Sequence, residues 1–569
     1  MVSNFSKRIK IVGIIVSFIA FAVVARLFQI QVINSSYYQD KGEISYSSKI
    51  SNIDRGSIYF KEKEGNLVGG AVMKTGYILA LKPDLILDPE SLYSKLDPFI
   101  EMEKEEFLEK ANKKGDPYEE IENRLTLEEV NKIKAFEEKG IITTSESWRF
   151  YPGSTLASQV LGIVAFKGDD LGGRYGIERS YEDTLRGKKE KVAVNIFAEL
   201  FSGLSGDNDD DTGDLVTTLE PTVQSHLEGA LSNIKTKWGA RTVGGIIMDP
   251  RTGEIIAMAT SPSFDANNFK DIESVSVLSN PSVERVYEFG SVVKPLIMAA
   301  ALDRGVVTPE TTYFDSGFVQ VEDKVINNFD KKGRGLVSMQ DVLNQSLNTG
   351  MVFVYNRLGK DSMRDYLTNY GLREKTGIDL PGEVKPLTSN LESPRNLEYA
   401  NASFGQGIAM TPINLISALS VLANGGHRIT PHVGYEIEYE DGRKEKLFEE
   451  KEEDEEKVLG DQALIDIRDM LITVVDKGYA KYHLSLSDYA VAAKTGTAQI
   501  ARSDGKGYVE GENMHTLFGF FPAYDPQFIM LFYAEAPNPN ARYAIESLSS
   551  EFFDIVKFMV SYYDIPPDR

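Results

Sequence analysis

Hydrophobic and polar positions change their spacing several times along the chain, beginning with an apolar run near the N-terminus. The basic start MVSNFSKRIK is followed by the uncharged run IVGIIVSFIAFAVVA at 11–25, and apolar residues continue past Arg26 to Ile33. A membrane-spanning helix needs roughly 17–25 mostly apolar residues, and an arginine near one end can extend to the interface. The pattern predicts a transmembrane anchor over 11–33.

The charges beside this run predict its orientation. Because the cations precede the apolar segment, residues 1–10 are predicted to be cytoplasmic and the bulk of the chain extracytoplasmic, in a single-pass protein of the cell (inner) membrane. The alternative is a cleaved signal peptide, since Ala20-Phe21-Ala22 matches a small-x-small cleavage pattern. That tripeptide lies inside the apolar run, which favours the uncleaved anchor.

Beyond the anchor, strand and helix signals follow one another. The segment SNIDRGSIYFKEKEGNLVGG at 51–70 predicts two strands around a charged turn, whereas the Glu/Lys-rich region 101–139 has helical spacing. Residues 202–214 are rich in Gly and Asp and predict a boundary loop. We therefore expect an N-terminal domain over 34–213 and a C-terminal domain over 214–569.

The C-terminal domain mixes both kinds of pattern. A β-branched strand precedes an amphipathic helix that opens at Glu220-Pro221, and residues 242–262 predict a β-hairpin. A second hairpin is predicted around the turn at Asp441-Gly442. Because no regular βα alternation is present, the patterning indicates an α+β fold rather than a parallel barrel.

Composition narrows the chemistry. The net charge of −23 argues against nucleic acid as a partner. The absence of cysteine excludes disulfides, cysteine-ligated zinc and a thiol nucleophile. Only five histidines occur, with no spacing that suggests a Ser-His-Asp triad or a histidine-rich metal site. A serine enzyme with this composition needs a base other than histidine.

One candidate for such a pair lies in YEFGSVVKPL at 287–296, where Ser291 stands three residues before Lys294. If a helix begins there, both side chains share one face, and the lysine can activate the serine once its pKa is depressed. The same spacing recurs at Ser232–Lys235 and Ser503–Lys506. A helix start with an exposed lysine is therefore the simpler interpretation of this segment alone.

A second motif is the pair Ser346 and Asn348 in NQSLNTG. A hydroxyl and a carboxamide at this spacing can relay a proton and hold a substrate amide. The segment alone is equally typical of an ordinary loop.

A third motif, KTGT, ends the apolar run YAVAA. On a strand edge, Lys494 and Thr495 can bind a carboxylate, Gly496 admits a ligand close to the backbone, and the Thr497 N–H can join an oxyanion hole. Lys-Thr-Gly also occurs at 74–76 and 375–377, so this motif is weak alone.

Taken in order, Ser-x-x-Lys, Ser-x-Asn and Lys-Thr-Gly form a recognised catalytic set. With further segments, the chain resembles the class B penicillin-binding proteins, the membrane-anchored monofunctional peptidoglycan D,D-transpeptidases. Phe289 departs from the resemblance, because the family commonly has proline there. The further segments are DRGSIY at 54–59, RFYPGSTLASQVLG at 149–162, GRYGIERSYEDTLRG at 173–187, TTLEPTVQ at 217–224, GGIIMDPRTGEIIAMATSPSFD at 244–265 and FGQGIAMTPINLISALSVLANGG at 404–426.

The resemblance implies the roles of the motif residues. Ser291 attacks the penultimate D-Ala carbonyl of a stem peptide, with Lys294 as general base. Ser346 and Asn348 assist proton transfer and positioning. The remaining roles are substrate carboxylate binding by Lys494 and Thr495, and oxyanion stabilisation by the backbone N–H groups of Ser291 and Thr497.

It also implies the wider setting. The expected fold is an antiparallel sheet flanked by helices plus a helical subdomain, preceded by an elongated pedestal or dimerisation-type domain. No metal or cofactor is expected. Expected partners are peptidoglycan stem peptides, β-lactam antibiotics, the membrane, a membrane glycosyltransferase (polymerase), and proteins of the division or elongation machinery. A serine β-lactamase, a β-lactam sensor and a division scaffold with dispensable catalysis are the alternatives.

Overall fold

The computed structural model describes most of the chain after residue 54. The predicted anchor at 11–33, the N-terminal segment 1–10 and the recurring Ser503–Lys506 motif lie outside the described residues, as does most of the predicted boundary loop. No helix within the described residues is long and apolar enough to cross a membrane. The described ranges are 55–168, 170–186, 212–269, 272, 274–448, 457–479, 486–502, 507–538 and 540–569.

Packing divides the described chain into two units. The smaller unit contains residues 73–150, and the larger contains 56–72 together with the residues after 150. Strands β1 (Ile58–Lys61) and β2 (Leu67–Leu81) confirm the predicted pair of strands around a charged turn, and β2 contributes residues to both units. The domains expected over 34–213 and 214–569 remain predictions.

The smaller unit alternates helices with strands around its own apolar core. The region 101–139, for which helical spacing was predicted, contains two helices, and the strand that separates them was not predicted. Thr126 caps the second of these helices at its N-terminus. Its hydroxyl accepts from the Glu129 N–H, and the Glu129 carboxylate accepts from the Thr126 N–H. The elements are α1 (Pro89–Leu96), α2 (Lys104–Ala111), β3 (Glu119–Leu125), α3 (Leu127–Lys134) and β4 (Ile141–Phe150).

The larger unit begins with small strands and helices and leads into the main sheet. Its strands are β5 (Val164–Lys167), β6 (Asp170–Gly173), β7 (Gly213–Thr217), β8 (Thr242–Met248), β9 (Ile255–Ser261), β10 (Thr312–Asp315), β11 (Phe318–Val321), β12 (Lys324–Asn327), β13 (Gly335–Ser338), β14 (Gly434–Tyr439), β15 (Lys444–Lys446), β16 (Ala492–Ala501), β17 (Tyr508–Phe521) and β18 (Phe528–Glu535). Its helices are α4 (Ser158–Leu161), α5 (Gly176–Ser180), α6 (Glu182–Arg186), α7 (Pro221–Trp238), α8 (Pro281–Glu284), α9 (Lys294–Asp303), α10 (Met339–Asn344), α11 (Asn348–Leu358), α12 (Lys360–Asn369), α13 (Asn396–Ala402), α14 (Pro412–Ser420), α15 (Asp461–Gly478) and α16 (Ala544–Tyr562).

Five antiparallel strands form the main sheet, in the order β16-β17-β18-β8-β9. Strand β18 at its centre is buried along its whole length, which is typical of a strand covered on both faces. Helices α7 and α16 pack on the sheet and on each other, with the rings of His226 and Phe558 stacked between them. Helices α9, α10, α11 and α15 pack together beside edge strand β16. This arrangement confirms the α+β prediction.

The larger unit contains both predicted hairpins and the predicted helix start at Glu220-Pro221. Strands β8 and β9 form the predicted hairpin, and β14 and β15 form the one around Asp441-Gly442. The Glu220 carboxylate accepts from the Val223 N–H at 2.6 Å and so caps α7 where its start was predicted. By contrast, the parallel pairing of β1 with β7, which places Ile58 opposite Leu215, was not predicted.

Candidate active site

The first candidate pair lies where a short helix changes its geometry. Residues Gly290–Val293 form one 3-10 turn, and α9 continues from Lys294, whose backbone N–H donates to the Ser291 carbonyl. Residues three apart eclipse one another in a 3-10 turn, so Ser291 and Lys294 lie one above the other. Pro295 falls in the first turn of α9, as predicted, where its missing N–H costs least.

The segment before the nucleophile is held by a buried aromatic residue. Phe289 is fully buried, and its ring meets that of Tyr287 edge-on, with 6.0 Å between centroids. The next residue, Gly290, donates its N–H to the Gly405 carbonyl at 3.2 Å. Phe289 therefore anchors this turn through side-chain packing.

Lys294 is buried completely and is surrounded by oxygen atoms of the second motif. Its Nζ donates to the Ser346 carbonyl at 2.7 Å, to the Asn348 Oδ1 at 2.9 Å and to the Ser346 Oγ at 3.3 Å. Burial, together with the nearby charge of Lys494, lowers the pKa of Lys294 well below its ordinary value. The Ser291 hydroxyl makes no hydrogen bond within the described ranges, so it remains available for a substrate.

The second motif lies between two helices in an unusual backbone conformation. Ser346 has a φ of 53°, the left-handed region that non-glycine residues rarely adopt, and Asn348 opens α11. The Asn348 side chain is fixed from its other end, because its Nδ2 donates to the Asn327 carbonyl at 3.1 Å. The left-handed turn directs both the hydroxyl and the carbonyl of Ser346 towards Lys294.

Lys494 approaches the same hydroxyl from the sheet edge. It is 2% exposed, and its Nζ donates to the Ser346 Oγ at 3.2 Å and to the Thr495 carbonyl at 2.9 Å. Burial lowers the pKa of Lys494 to about 7. The three motifs therefore converge on one location, although they lie far apart in the sequence.

Strand β16 presents alternate backbone groups at its free edge. The Thr495 N–H donates to the Tyr479 hydroxyl at 2.9 Å and thus points away from β17. Thr497, two residues along, has the same orientation, because strand geometry repeats every two residues. A Cβ on Gly496 would lie 2.4 Å from the Phe289 carbonyl oxygen, so this edge lies directly against the turn that carries Ser291.

Comparisons with known proteins agree with this geometry. A family model described as the penicillin-binding protein transpeptidase domain matches residues 243–556, and one described as the penicillin-binding protein dimerisation domain matches residues 51–199. The chain belongs to the class B penicillin-binding proteins. The resemblance inferred from the three motifs is thereby confirmed.

Individual relatives differ in how much of their length is matched. Stage V sporulation protein D of Bacillus subtilis is 32% identical over 416 residues, which are 72% of this chain and 63% of that protein, just under two thirds. Peptidoglycan D,D-transpeptidase FtsI of Buchnera aphidicola is 24% identical over 99% of this chain and 97% of its own length. The crystal structure of penicillin-binding protein 3 from Mycobacterium tuberculosis with aztreonam superposes with a TM-score of 0.67. It is 21% identical and covers 91% of this chain and 98% of its own, a likeness of fold.

Two other motif copies of this penicillin-binding protein serve structural roles. Ser232 and Lys235 lie on α7, where the Lys235 Nζ donates at 3.1 Å to the carbonyls of Ala240 and Arg241 at the helix end. The Thr376 hydroxyl of the Lys-Thr-Gly copy at 375–377 donates to a Glu383 carboxylate oxygen at 2.8 Å.

The sequence reasoning missed a buried network beneath the second motif. The Asp315 carboxylate accepts from the Thr349 hydroxyl at 2.7 Å and from the Asn328 Nδ2 at 3.0 Å, and all three residues are at least 95% buried. Because Thr349 directly follows Asn348, this network fixes the start of α11. Tyr479, which contacts Thr495, was missed as well. Neither Asp315 nor Tyr479 belongs to a motif with a characteristic spacing.

Proposed function

We propose that this protein is an acyl-serine D,D-transpeptidase that crosslinks peptidoglycan stem peptides and is inhibited covalently by β-lactams. One observation carries the proposal: two buried lysines, Lys294 and Lys494, contact the hydroxyl of Ser346 beside the turn that presents Ser291. The names of the relatives point in the same direction, because FtsI of Buchnera aphidicola is called a peptidoglycan D,D-transpeptidase.

In the first step, neutral Lys294 takes the proton of the Ser291 hydroxyl. The Ser291 Oγ forms a bond to the carbonyl carbon of the penultimate D-Ala. The carbonyl oxygen becomes an oxyanion that the backbone N–H groups of Ser291 and Thr497 stabilise. The terminal D-Ala leaves after its nitrogen receives the proton, which passes from Lys294 through the Ser346 hydroxyl.

Substrate positioning uses the third motif and Asn348. Charged Lys494 and the Thr495 hydroxyl bind the carboxylate of the terminal D-Ala, and Gly496 lets the substrate approach the strand backbone. The Asn348 carboxamide, held between Lys294 and Asn327, is placed to contact a substrate amide.

The second step transfers the acyl group. An amine of a neighbouring stem peptide attacks the ester carbonyl and loses its proton to Lys294, and the Ser291 oxygen leaves and regains a proton. One amide bond is broken and one is formed, so the reaction requires no cofactor.

We further propose the cellular setting that the sequence indicates. The segment 11–33 anchors the protein in the cell membrane with its catalytic domain outside the cytoplasm, and the region over 34–213 is a pedestal that docks partners. A membrane glycosyltransferase supplies the glycan strands, and the enzyme works with division or elongation proteins.

A labelling experiment tests the catalytic proposal. The full-length protein is treated with benzylpenicillin and measured by intact-mass spectrometry and peptide mapping. We expect a single adduct on the peptide that contains Ser291, stable for many minutes, and none in Ser291→Ala. Ser232→Ala is the matched control and should label fully. An adduct on another serine would refute the assignment, whereas rapid turnover of penicillin would favour a β-lactamase.

A further inference from the structure

Tyr479 contacts the carboxylate-binding motif from behind the sheet edge. It directly follows α15, and its backbone N–H donates to the Val475 carbonyl. The side chain is 3% exposed and packs against the ring of Phe553, with 6.1 Å between centroids. Its hydroxyl makes two hydrogen bonds to Thr495, each of 2.9 Å.

One of these bonds, together with a bond from Lys494, uses both backbone groups of Thr495. The Thr495 N–H donates to the Tyr479 hydroxyl, and the Thr495 carbonyl accepts from the Lys494 Nζ at 2.9 Å. At this position of the free strand edge, a ligand therefore finds no available backbone donor. Of the hydrogen-bond donors of Thr495, a half-buried residue, only the hydroxyl remains for recognition.

The hydrogen bond between the Tyr479 and Thr495 hydroxyls determines where the Thr495 hydroxyl proton can point. A backbone N–H can only donate, so the Tyr479 oxygen acts as its acceptor and the single phenolic proton is directed to the Thr495 Oγ. Within the described ranges, that Oγ is the acceptor found for the phenolic proton. Burial raises the pKa of Tyr479 to about 12, so the phenol keeps this proton at neutral pH. The Thr495 hydroxyl accepts from Tyr479 and is left free to donate outward.

We infer that Tyr479 is a positioning residue that aims the Thr495 hydroxyl proton at the substrate carboxylate. The inference rests on the proposed function, because it assumes that Thr495 and Lys494 bind that carboxylate. It goes beyond the motif by giving the Thr495 hydroxyl a fixed rotamer and a fixed direction of donation. Tyr479 itself touches no substrate atom.

The test compares two acylating agents that differ only at the carboxylate. Second-order acylation constants are measured for benzylpenicillin and for its methyl ester, by competition with a fluorescent penicillin. In Tyr479→Phe, we expect the constant for benzylpenicillin to fall by about 10-fold to 100-fold, the range of a hydrogen bond to a charged group. The constant for the methyl ester should change by less than about twofold, because the ester presents no carboxylate.

A second variant makes the result independent of how well Tyr479→Phe folds. Thr495→Val should show the same selective loss, and the double variant should lose little more than either single variant, because both act through one hydroxyl. Tyr489→Phe is the matched control: it removes a tyrosine hydroxyl that donates to the Ile565 carbonyl, and it should leave both constants unchanged.

Different outcomes separate the possible failures. Equal losses for benzylpenicillin and its ester in Tyr479→Phe, or additive losses in the double variant, would overturn the positioning role while leaving the enzyme's function intact. If the wild-type protein reacts equally fast with both agents, carboxylate recognition by Lys494 and Thr495 itself is wrong. Continued labelling of Ser291→Ala would instead refute the proposed function.

Discussion

Lys294 and Lys494 reach the same atom, because their Nζ atoms lie 3.3 and 3.2 Å from the Oγ of Ser346. Both side chains are buried, and two ammonium groups this close repel each other. The site therefore favours one neutral and one charged lysine. The Ser346 hydroxyl can accept from the charged lysine while it donates to the neutral one, which makes it a route for protons between them.

Removing Lys294 should slow acylation without abolishing it. We expect Lys294→Ala to lower the acylation rate constant for benzylpenicillin by about 10²–10⁴-fold, the usual effect of losing a general base. Stopped-flow or fluorescent-penicillin kinetics would measure it. Lys235→Ala, which removes the lysine of the copy on α7, should react at the wild-type rate. A Lys294→Ala protein that acylates at the wild-type rate would show that another group takes the Ser291 proton.

The acylation rate should depend on pH with two limbs. The rate should rise as the pH increases through the lowered pKa of Lys294, because the base must be neutral. It should fall above the pKa of Lys494, which is about 7, because neutral Lys494 no longer attracts the carboxylate. The two apparent values belong to the coupled pair of lysines. The expected profile is a bell whose falling limb lies near pH 7.

The methyl ester of benzylpenicillin provides the control for this profile. Because it carries no carboxylate, its acylation should keep the rising limb and lose the falling one. Lys494→Gln should shift the rising limb to higher pH, since Lys294 then titrates without a neighbouring positive charge. A rate for benzylpenicillin that climbs steadily to pH 10 would contradict the assignment of Lys494 as the charged partner.

Burial of Lys494 should also appear in the pH dependence of stability. The folded-state pKa of about 7 lies below the ordinary 10.5, so between these values the unfolded chain binds more protons than the folded protein. The wild-type free energy of unfolding should therefore rise with pH relative to that of Lys494→Met, by up to about 1.4 kcal/mol per pH unit. Melting temperatures at pH 7 and pH 9.5 would measure the change.

An exposed lysine should behave differently. Lys132 pairs with Glu128 at 2.7 Å, and a side-chain hydrogen bond to that glutamate raises the pKa of Lys132. Both the folded and the unfolded chain keep Lys132 protonated between pH 7 and pH 9.5. The difference in the free energy of unfolding between wild type and Lys132→Met should therefore not change with pH. If the difference in unfolding free energy between wild type and Lys494→Met is equally independent of pH, burial does not disfavour the charged form of Lys494.

The sequence was most informative where chemistry depends on neighbours in the chain. The three-residue spacing of Ser291 and Lys294 predicted a shared helix face, and Lys494 was expected at a strand edge because an apolar run precedes it. Both expectations agree with the structure. The order of the three motifs along the chain then indicated that they meet in one site. No motif taken alone could have predicted this.

Contacts between residues that lie far apart in the chain have no recognisable pattern in the sequence. Tyr479 and Thr495 are 16 residues apart and meet because α15 ends beside β16, which is a matter of tertiary packing. The parallel pairing of Ile58 with Leu215 joins residues separated by most of the N-terminal third of the chain. Buried Asp315 gave no signal either, because a single aspartate is ordinarily read as a surface residue.

The close contact at Gly496 leads to the last prediction. A Cβ at this position would lie 2.4 Å from the Phe289 carbonyl oxygen and 3.2 Å from the Val292 nitrogen, and neither backbone atom can rotate away. Gly496→Ala should therefore push β16 away from the turn that carries Ser291, misplacing the Thr497 N–H relative to the nucleophile. Displacements of this size reduce rates by about 10²-fold, so labelling by fluorescent penicillin should slow at least that much while the circular dichroism spectrum stays native. Gly229→Ala is the matched control, because no atom lies within 4 Å of a Cβ there and alanine favours helix α7 by roughly 0.5–1 kcal/mol. That variant should label at the wild-type rate and melt slightly higher, whereas wild-type labelling by Gly496→Ala would show that the strand and the turn can separate without loss of the site.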